Sequence, residues 1–414
     1  MFGPLNRIYA VAFLMDFAVM AGVIGMPFFI FGLGYGPGAS GGIGAAQAIS
    51  YAVACLLSAR FVGRVKNGLA WAVLGGLLYA VLGMLIPFFS SMAVCATLAV
   101  VASIGLAFVW PALHSWVGAE PDLAKRGRSM SRFNIAWSAG FAVSPLLAGP
   151  VCDLNYHYPF ILSGITAVLA VVLIMSLPHE KKFFDVVTQA MLDERAQQDR
   201  ASEAHLLAAW CANLISNILI SATRMVFPKR IDELVSAGQL RLLWESQPAA
   251  FLMSGSATKY SWLAFTLSFV MMAVFLWMGR TRWWHHRFAV VVIVQALAAL
   301  AFWTIAHTHS LVLMLTCFML IGINGGAAFF SAIYYSMANP ALKHRRAAIN
   351  EGAVGIGGFI GSMSFGMLAQ LYGTSWPFIY APIIIACGIL AEAMLVRHGL
   401  RRYHAVEAVT PSDL

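Results

Sequence analysis

One carboxylic acid, Asp16, lies inside the first long apolar stretch and is the residue best placed to carry chemistry. If that stretch is a helix, Asp16 lies about eight residues along it, or ~12 Å from its start. The residues on the same helix face are Ala12, Val19, Met20 and Val23, so its own helix offers nothing that stabilises a charge. Burial disfavours the charged form, which suits proton exchange or cation binding. A structural hydrogen bond to another helix is the alternative.

A second group of polar residues follows a helical spacing later in the chain. Asn213, Asn217, Ser221 and Arg224 fall at i, i+4, i+8 and i+11, which places them on one helix face. Arg224 comes about 18 residues into its apolar stretch, so we expect it near the end opposite to Asp16, without a direct ion pair. The stripe predicts a polar wall that binds substrate. Alternatively, Arg224 extends to the lipid headgroups.

Other candidate binding residues lie singly in apolar stretches, where packing is the more common explanation. They are Asn324, which precedes two glycines, Trp110, Tyr334, Gln47 and Tyr51. The six cysteines are scattered singly, and we expect no metal site and no cofactor. Without a GxxxxGK[ST] loop or an HExxH motif, the sequence favours neither ATP hydrolysis nor a metalloenzyme, and we expect a protein that is not an enzyme.

The composition identifies the medium in which these residues act. Of the 414 residues, 60% are hydrophobic and only 10% are charged, whereas about a quarter of a soluble chain is charged. Repeated apolar stretches of about 18 residues or more predict membrane-spanning helices, since a helix satisfies its own backbone in lipid. The sequence therefore predicts an all-α, polytopic membrane protein.

Twelve spans are predicted, six on each side of a polar linker. Their approximate ranges are 8–30, 43–62, 69–89, 93–117, 134–152 and 158–177, then 206–227, 260–279, 288–307, 311–337, 352–371 and 377–396. The predicted units are an N-terminal six-helix bundle (1–178), a linker (179–204) and a C-terminal six-helix bundle (205–414).

The basic residues predict the orientation. Of the 26 lysines and arginines, 21 lie at the termini, in the linker or in every second loop. By the positive-inside rule both termini are cytoplasmic, in a plasma or inner membrane. The net charge of +9 is thus explained by topology, and we expect no nucleic-acid partner. The one long external segment, 228–259, predicts a short amphipathic helix in its middle, as a lid or as a surface insertion.

The two halves carry a weak internal repeat. Residues 110–150 and 331–366 both contain a helix, a Pro-x-Leu followed by basic residues, and a helix rich in small residues. Because the similarity falls at the same span number in each half, it indicates a parallel duplication of a six-helix unit.

With this organisation the chain resembles the major facilitator superfamily over nearly its full length. The resemblance implies two six-helix bundles, a central cavity lined by spans one, four, seven and ten, and gating loops that here contain Arg60, Arg64 and Arg280. The acid of the family's loop motif is missing from both loops. In span five, Gly140, Ser144, Pro145 and Gly149 follow the spacing of the family's drug and metabolite exporters. Tight helix packing without directional meaning explains the same stripe.

These observations favour a secondary active transporter that moves a small organic solute by alternating access. We expect proton-coupled export by a monomer, with protons, a small-molecule substrate and the bilayer as its partners. The alternatives are an importer or uniporter of a polar or anionic metabolite, and a membrane receptor of the same fold that does not transport.

Overall fold

The computed structural model describes residues 3–62, 68–118, 123–178, 189–242, 255–337 and 343–409. Within these ranges, twelve helices are long and apolar enough to cross a membrane, and no strand is formed. This confirms the predicted all-helical fold with twelve spans.

The first six spans are α1 to α6, and the remaining six are α7 and α9 to α13, with the short α8 between them. The bounds are α1 Pro4–Gly32, α2 Pro37–Val62, α3 Gly68–Leu85, α4 Met92–Gly118, α5 Leu123–Leu154, α6 Tyr158–Met175, α7 Gln189–Met225, α8 Phe227–Ser236, α9 Ser256–Arg280, α10 Phe288–His307, α11 Leu311–Met337, α12 Lys343–Tyr372 and α13 Trp376–Val409. The predicted linker therefore contributes its last part to α7.

Two ends of the structure are distinguished below. The terminal face is the end at which α1 begins and α13 ends, and the distal face is the opposite end. Among the described residues, the predicted cytoplasmic arginines Arg7, Arg280, Arg282 and Arg287 lie at the terminal face, whereas α8 lies at the distal face.

The buried apolar residues form clusters that follow the two halves. One cluster around Met15, Leu113 and Phe133 lies within the first half, and another around Trp284 and Tyr335 lies within the second. The largest cluster joins residues of both halves. The chain is thus two six-helix bundles with a shared apolar contact.

Glycines bring the bundles to backbone contact at two helix pairs. At the α2–α12 pair, a methyl group added to Gly41 would lie 2.3 Å from the carbonyl oxygen of Ser362. At the α5–α9 pair, one added to Gly149 would lie 2.8 Å from the carbonyl oxygen of Ala257. Small residues permit such close approach in membranes. These two pairs are called the joint below.

The amphipathic helix of the distal segment comes at its beginning, as α8, rather than in its middle; residues 243–254 lie outside the described residues. Buried Arg230 fixes α8 by donating hydrogen bonds to the carbonyl oxygens of Ile305 (3.1 Å) and Ala306 (2.7 Å). These carbonyls belong to the last turn of α10, where intrahelical donors run out. Lys229 lies over the ring of Phe31, 5.5 Å from its centroid, so α8 also contacts the first bundle.

Candidate functional site

Asp16 is buried in α1, with 9% of its surface exposed. Its helix packs mainly against α5 and α6 and also reaches α7 and α9 of the second bundle. Among the described residues, none forms a hydrogen bond or ion pair with its carboxyl group. A carboxyl group in such surroundings is stabilised by a proton or by a ligand.

Arg224 ends the last turn of α7 and is only partly buried. Its guanidinium carbon lies 5.2 Å from the centroid of the Phe141 ring in α5, across the contact between the bundles. It borders a small cavity with Met20, one helix turn from Asp16, and with Tyr260. Asp16 and Arg224 lie within electrostatic reach of each other without forming an ion pair.

A third charged residue, Glu351, faces the same region from α12. It interacts electrostatically with Tyr51 and Cys55 of α2, and Tyr51 in turn with Asp16. Acidic and aromatic side chains of both bundles are therefore brought together beside the joint. Sequence reasoning missed Glu351 because the span was drawn from residue 352, one position later. Its place directly before a glycine-rich apolar run was the available signal.

The predicted polar stripe of α7 faces α12. The Asn213 side chain, fully buried, donates a hydrogen bond from its amide nitrogen to the Asn350 side-chain oxygen at 2.9 Å. The Asn217 amide donates to the Asn213 side-chain oxygen at 3.0 Å, and the Ser221 hydroxyl donates to the Gly358 carbonyl at 3.4 Å. These groups hold two helices of one bundle together, and Arg224 is the member of the stripe that faces the other bundle.

The remaining predicted binding residues are spread over several places. Trp110 lies beside His114 in α4, with ring centroids 6.4 Å apart, and Gln47 is partly buried in α2. Asn324 is buried inside the second bundle and borders a separate cavity there. The Tyr334 hydroxyl lies 3.3 Å from the Nδ1 of His285 at the terminal face.

The small residues of α5 divide between two neighbours. A methyl group added to Gly140 would lie 2.0 Å from the carbonyl oxygen of Phe13, and the Ser144 hydroxyl donates to the Phe17 carbonyl at 2.7 Å. Both contacts are with α1, inside the first bundle. Gly149 packs on α9 at the joint, and Pro145 is buried between these contacts.

Of the predicted gating arginines, Arg280 is exposed in the last turn of α9. Arg64 and the side chain of Arg60 lie outside the described residues.

The two bundles are also joined by a helix cap at the distal face. The Asp153 carboxylate, at the end of α5, accepts hydrogen bonds from the backbone N–H groups of Ala257 (3.0 Å) and Thr258 (2.9 Å). They are two of the first N–H groups of α9, which have no acceptor within the helix. The candidate site therefore lies between two bundles whose distal ends are held together by a carboxylate and by glycine contacts.

Known proteins give the context for this geometry. The sequence profile of the Major Facilitator Superfamily matches residues 8–347. None of the curated proteins compared with the chain matches significantly in sequence.

Solved structures match the fold at low identity. A bacterial homologue of the human lysosomal transporter Spinster, inward-facing and unoccupied, gives a TM-score of 0.73 at 12% identity, covering 96% of this chain and 97% of that one. The nucleoside transporter NupG gives 0.73 at 10% identity, with 95% and 99% covered. A peptide transporter POT in complex with sulfate gives 0.73 at 14% identity, with 96% and 94% covered. At these identities the likeness shows the fold alone.

Proposed function

The chain belongs to the Major Facilitator Superfamily, and from that premise we propose that it is a proton-coupled transporter that exports a small organic, largely apolar or cationic solute. The carrying observation is Asp16, a buried carboxyl group without a hydrogen-bond or ion-pair partner among the described residues, within electrostatic reach of Arg224 on the other bundle.

The pair Asp16 and Arg224 suits coupling because the two charges belong to different bundles. When the bundles rock, the distance between the charges changes, and with it the free energy of the ionised carboxyl group. A proton binds to Asp16 when Arg224 is remote and leaves when Arg224 or a cationic solute approaches. Proton and solute then exchange on one site that faces each side of the membrane in turn.

Direction and orientation are part of the proposal. By the positive-inside rule, the distribution of basic residues supports an orientation with both termini in the cytoplasm, in a plasma or inner membrane. The spacing of Gly140, Ser144, Pro145 and Gly149 resembles that of exporters and supports outward transport.

The test begins with ligands. Purified protein is screened by thermal shift against a small library of cationic, anionic and zwitterionic organic compounds. Each stabilising compound is then radiolabelled, and its flux is followed in proteoliposomes with and without a pH gradient.

The decisive variant is Asp16→Asn, which keeps the shape of the side chain and removes its titration. Gradient-driven flux should fall by at least tenfold, whereas exchange of solute without a gradient persists. Asp232→Asn on α8, outside the site, is the matched control and should keep both activities. Unchanged gradient-driven flux in Asp16→Asn would remove Asp16 from the mechanism.

A second candidate function rests on Arg224. Its partly exposed guanidinium group, free of ion pairs among the described residues, suits an anionic solute, and uptake or facilitated passage of such a metabolite is the alternative. Stabilisation by anions, with loss of binding in Arg224→Gln, would favour it. Stabilising ligands that show no flux in sealed vesicles would instead favour a receptor.

A further inference from the structure

A buried acid far from the joint lies inside the second bundle. Glu392 of α13 is 0% exposed and Gln295 of α10 is 2% exposed. The Gln295 amide nitrogen donates a hydrogen bond to Oε1 of Glu392 at 2.8 Å. The other two oxygens of the pair, Oε2 of Glu392 and Oε1 of Gln295, are buried and have no hydrogen-bond partner among the described residues.

The two unsatisfied oxygens show that the pair lacks a hydrogen-bond donor. Both are acceptors when Glu392 is ionised, so neither can satisfy the other, and each buried unsatisfied group costs about 1 to 3 kcal/mol, more when charged. A proton on Oε2 of Glu392 removes the charge and supplies a donor. The acid and the amide then have complementary donors and acceptors, as in a paired carboxylic acid and primary amide.

A cavity lies between this acid and the terminal face. Glu392 borders a cavity of about 40 Å³, whereas one water needs roughly 10 to 15 Å³. Asn324, Ser331 and Tyr335 supply polar groups along its wall. Arg287, exposed at the start of α10, also lines the cavity and marks its end at the terminal face.

The groups around Glu392 favour a proton over a metal cation. From α7, His205 lines the cavity and Cys211 lies within electrostatic reach. From α11 the titratable lining group is Tyr335, and from the start of α10 it is Arg287; among the described residues no titratable side chain of α9 or α12 lines the cavity. A single carboxyl group is a poor site for a cation, which would need several oxygen ligands.

We propose that Glu392 is a second proton-binding site, loaded from the terminal face through this cavity and independent of Asp16. Its proton closes the contact between α10 and α13 inside the second bundle. Because no solute is involved, the site exists whether or not the chain transports by way of Asp16.

Infrared spectroscopy of the purified protein near neutral pH tests the proposal without any transport assay. The carbonyl band of protonated carboxyl groups should lose one carboxyl equivalent in Glu392→Gln. Glu351→Gln, the matched control, removes the partly buried glutamate of α12 and should leave the Glu392 band in place. In D2O the Glu392 band should shift, since the cavity admits water.

A second variant is available in case Glu392→Gln does not fold. Glu392→Gln keeps an amide that pairs with Gln295, and its melting temperature should match that of the wild type. If Glu392→Gln does not fold, Gln295→Leu is measured instead. In that variant the Glu392 band should persist but move to higher frequency, because the carboxyl group loses its hydrogen bond. Identical carboxyl bands in the wild type and Glu392→Gln, or an unshifted band in Gln295→Leu, would overturn the proposal, and a band inert in D2O would overturn the loading path.

Discussion

Two adjacent glycines of α2 provide a matched test of the joint. A methyl group added to Gly41 would lie 2.3 Å from the carbonyl oxygen of Ser362 and 2.7 Å from the Cα of Gly366, both in α12. One added to Gly42 meets no described atom within 4 Å. The substitutions Gly41→Ala and Gly42→Ala are therefore chemically identical and differ only in what the methyl group contacts.

The expected change in the free energy of unfolding follows from this difference in contacts. In Gly41→Ala, α2 and α12 must separate by about 1 Å to restore ordinary contact, and overpacking of this kind costs roughly 1 to 3 kcal/mol. In both variants, replacing a helical glycine by alanine stabilises the helix by about 0.5 to 1 kcal/mol. Gly41→Ala should thus be destabilised, whereas Gly42→Ala should be neutral or slightly stabilised.

Thermal unfolding in detergent measures this difference, with a thiol-reactive dye that reports exposure of the buried Cys95, Cys152 and Cys317. At about 2 to 4 °C per kcal/mol for a unit the size of one bundle, Gly41→Ala should melt several degrees below Gly42→Ala.

A second readout follows opening of the distal face. Ser40 is fully buried and its hydroxyl donates to the Met225 carbonyl of the second bundle at 3.2 Å. A cysteine placed there, Ser40→Cys, should react faster with an impermeant maleimide when combined with Gly41→Ala than with Gly42→Ala. Equal melting temperatures and equal labelling would refute the backbone contact between α2 and α12.

Two further predictions concern the distal cap and the terminal face. Asp153→Ala removes the cap of α9 and should cost about 1 kcal/mol, whereas Asp153→Asn retains a capping side chain and most of the stability; equal losses in thermal unfolding would contradict the cap. Burial, then His205 and His285, lower the pKa of His286. The unfolded chain therefore binds this proton first, and stability falls as the pH drops below about 6.5. His286→Asn, which tolerates the φ of 56° at this residue, should lose part of this acid destabilisation, and an unchanged pH slope of the melting temperature would contradict it.

Sequence reasoning did not identify which helices the candidate residues contact, for one physical reason. The helix faces that meet lipid and those that meet protein are both apolar in a membrane, so the sequence pattern does not specify how a helix is rotated about its axis. The spacing of Asn213 and Asn217 correctly places them on one face, but the neighbour of that face, Asn350 of α12, follows only from packing. Asn324 likewise faces the interior of its own bundle.

The small-residue stripe of α5 shows the same limit. Its spacing predicts close helix contact, which the structure contains, but not that Gly140 meets α1 while Gly149 meets α9. The two glycines are nine residues apart, which is about 2.5 turns at 3.6 residues per turn, so they lie on opposite sides of α5 and contact different neighbours.

The sequence by itself determined the medium, the all-helical fold and the twelve spans. The reason is local: a backbone in hydrocarbon must satisfy its own hydrogen bonds, so long apolar stretches become helices whatever their neighbours. Only the tertiary structure decided that Asp16, Arg224 and Glu351 approach the joint and that Glu392 is paired with Gln295. These contacts depend on how helices that are distant in sequence pack against each other and how each is rotated about its axis. No single stretch of the chain contains that information.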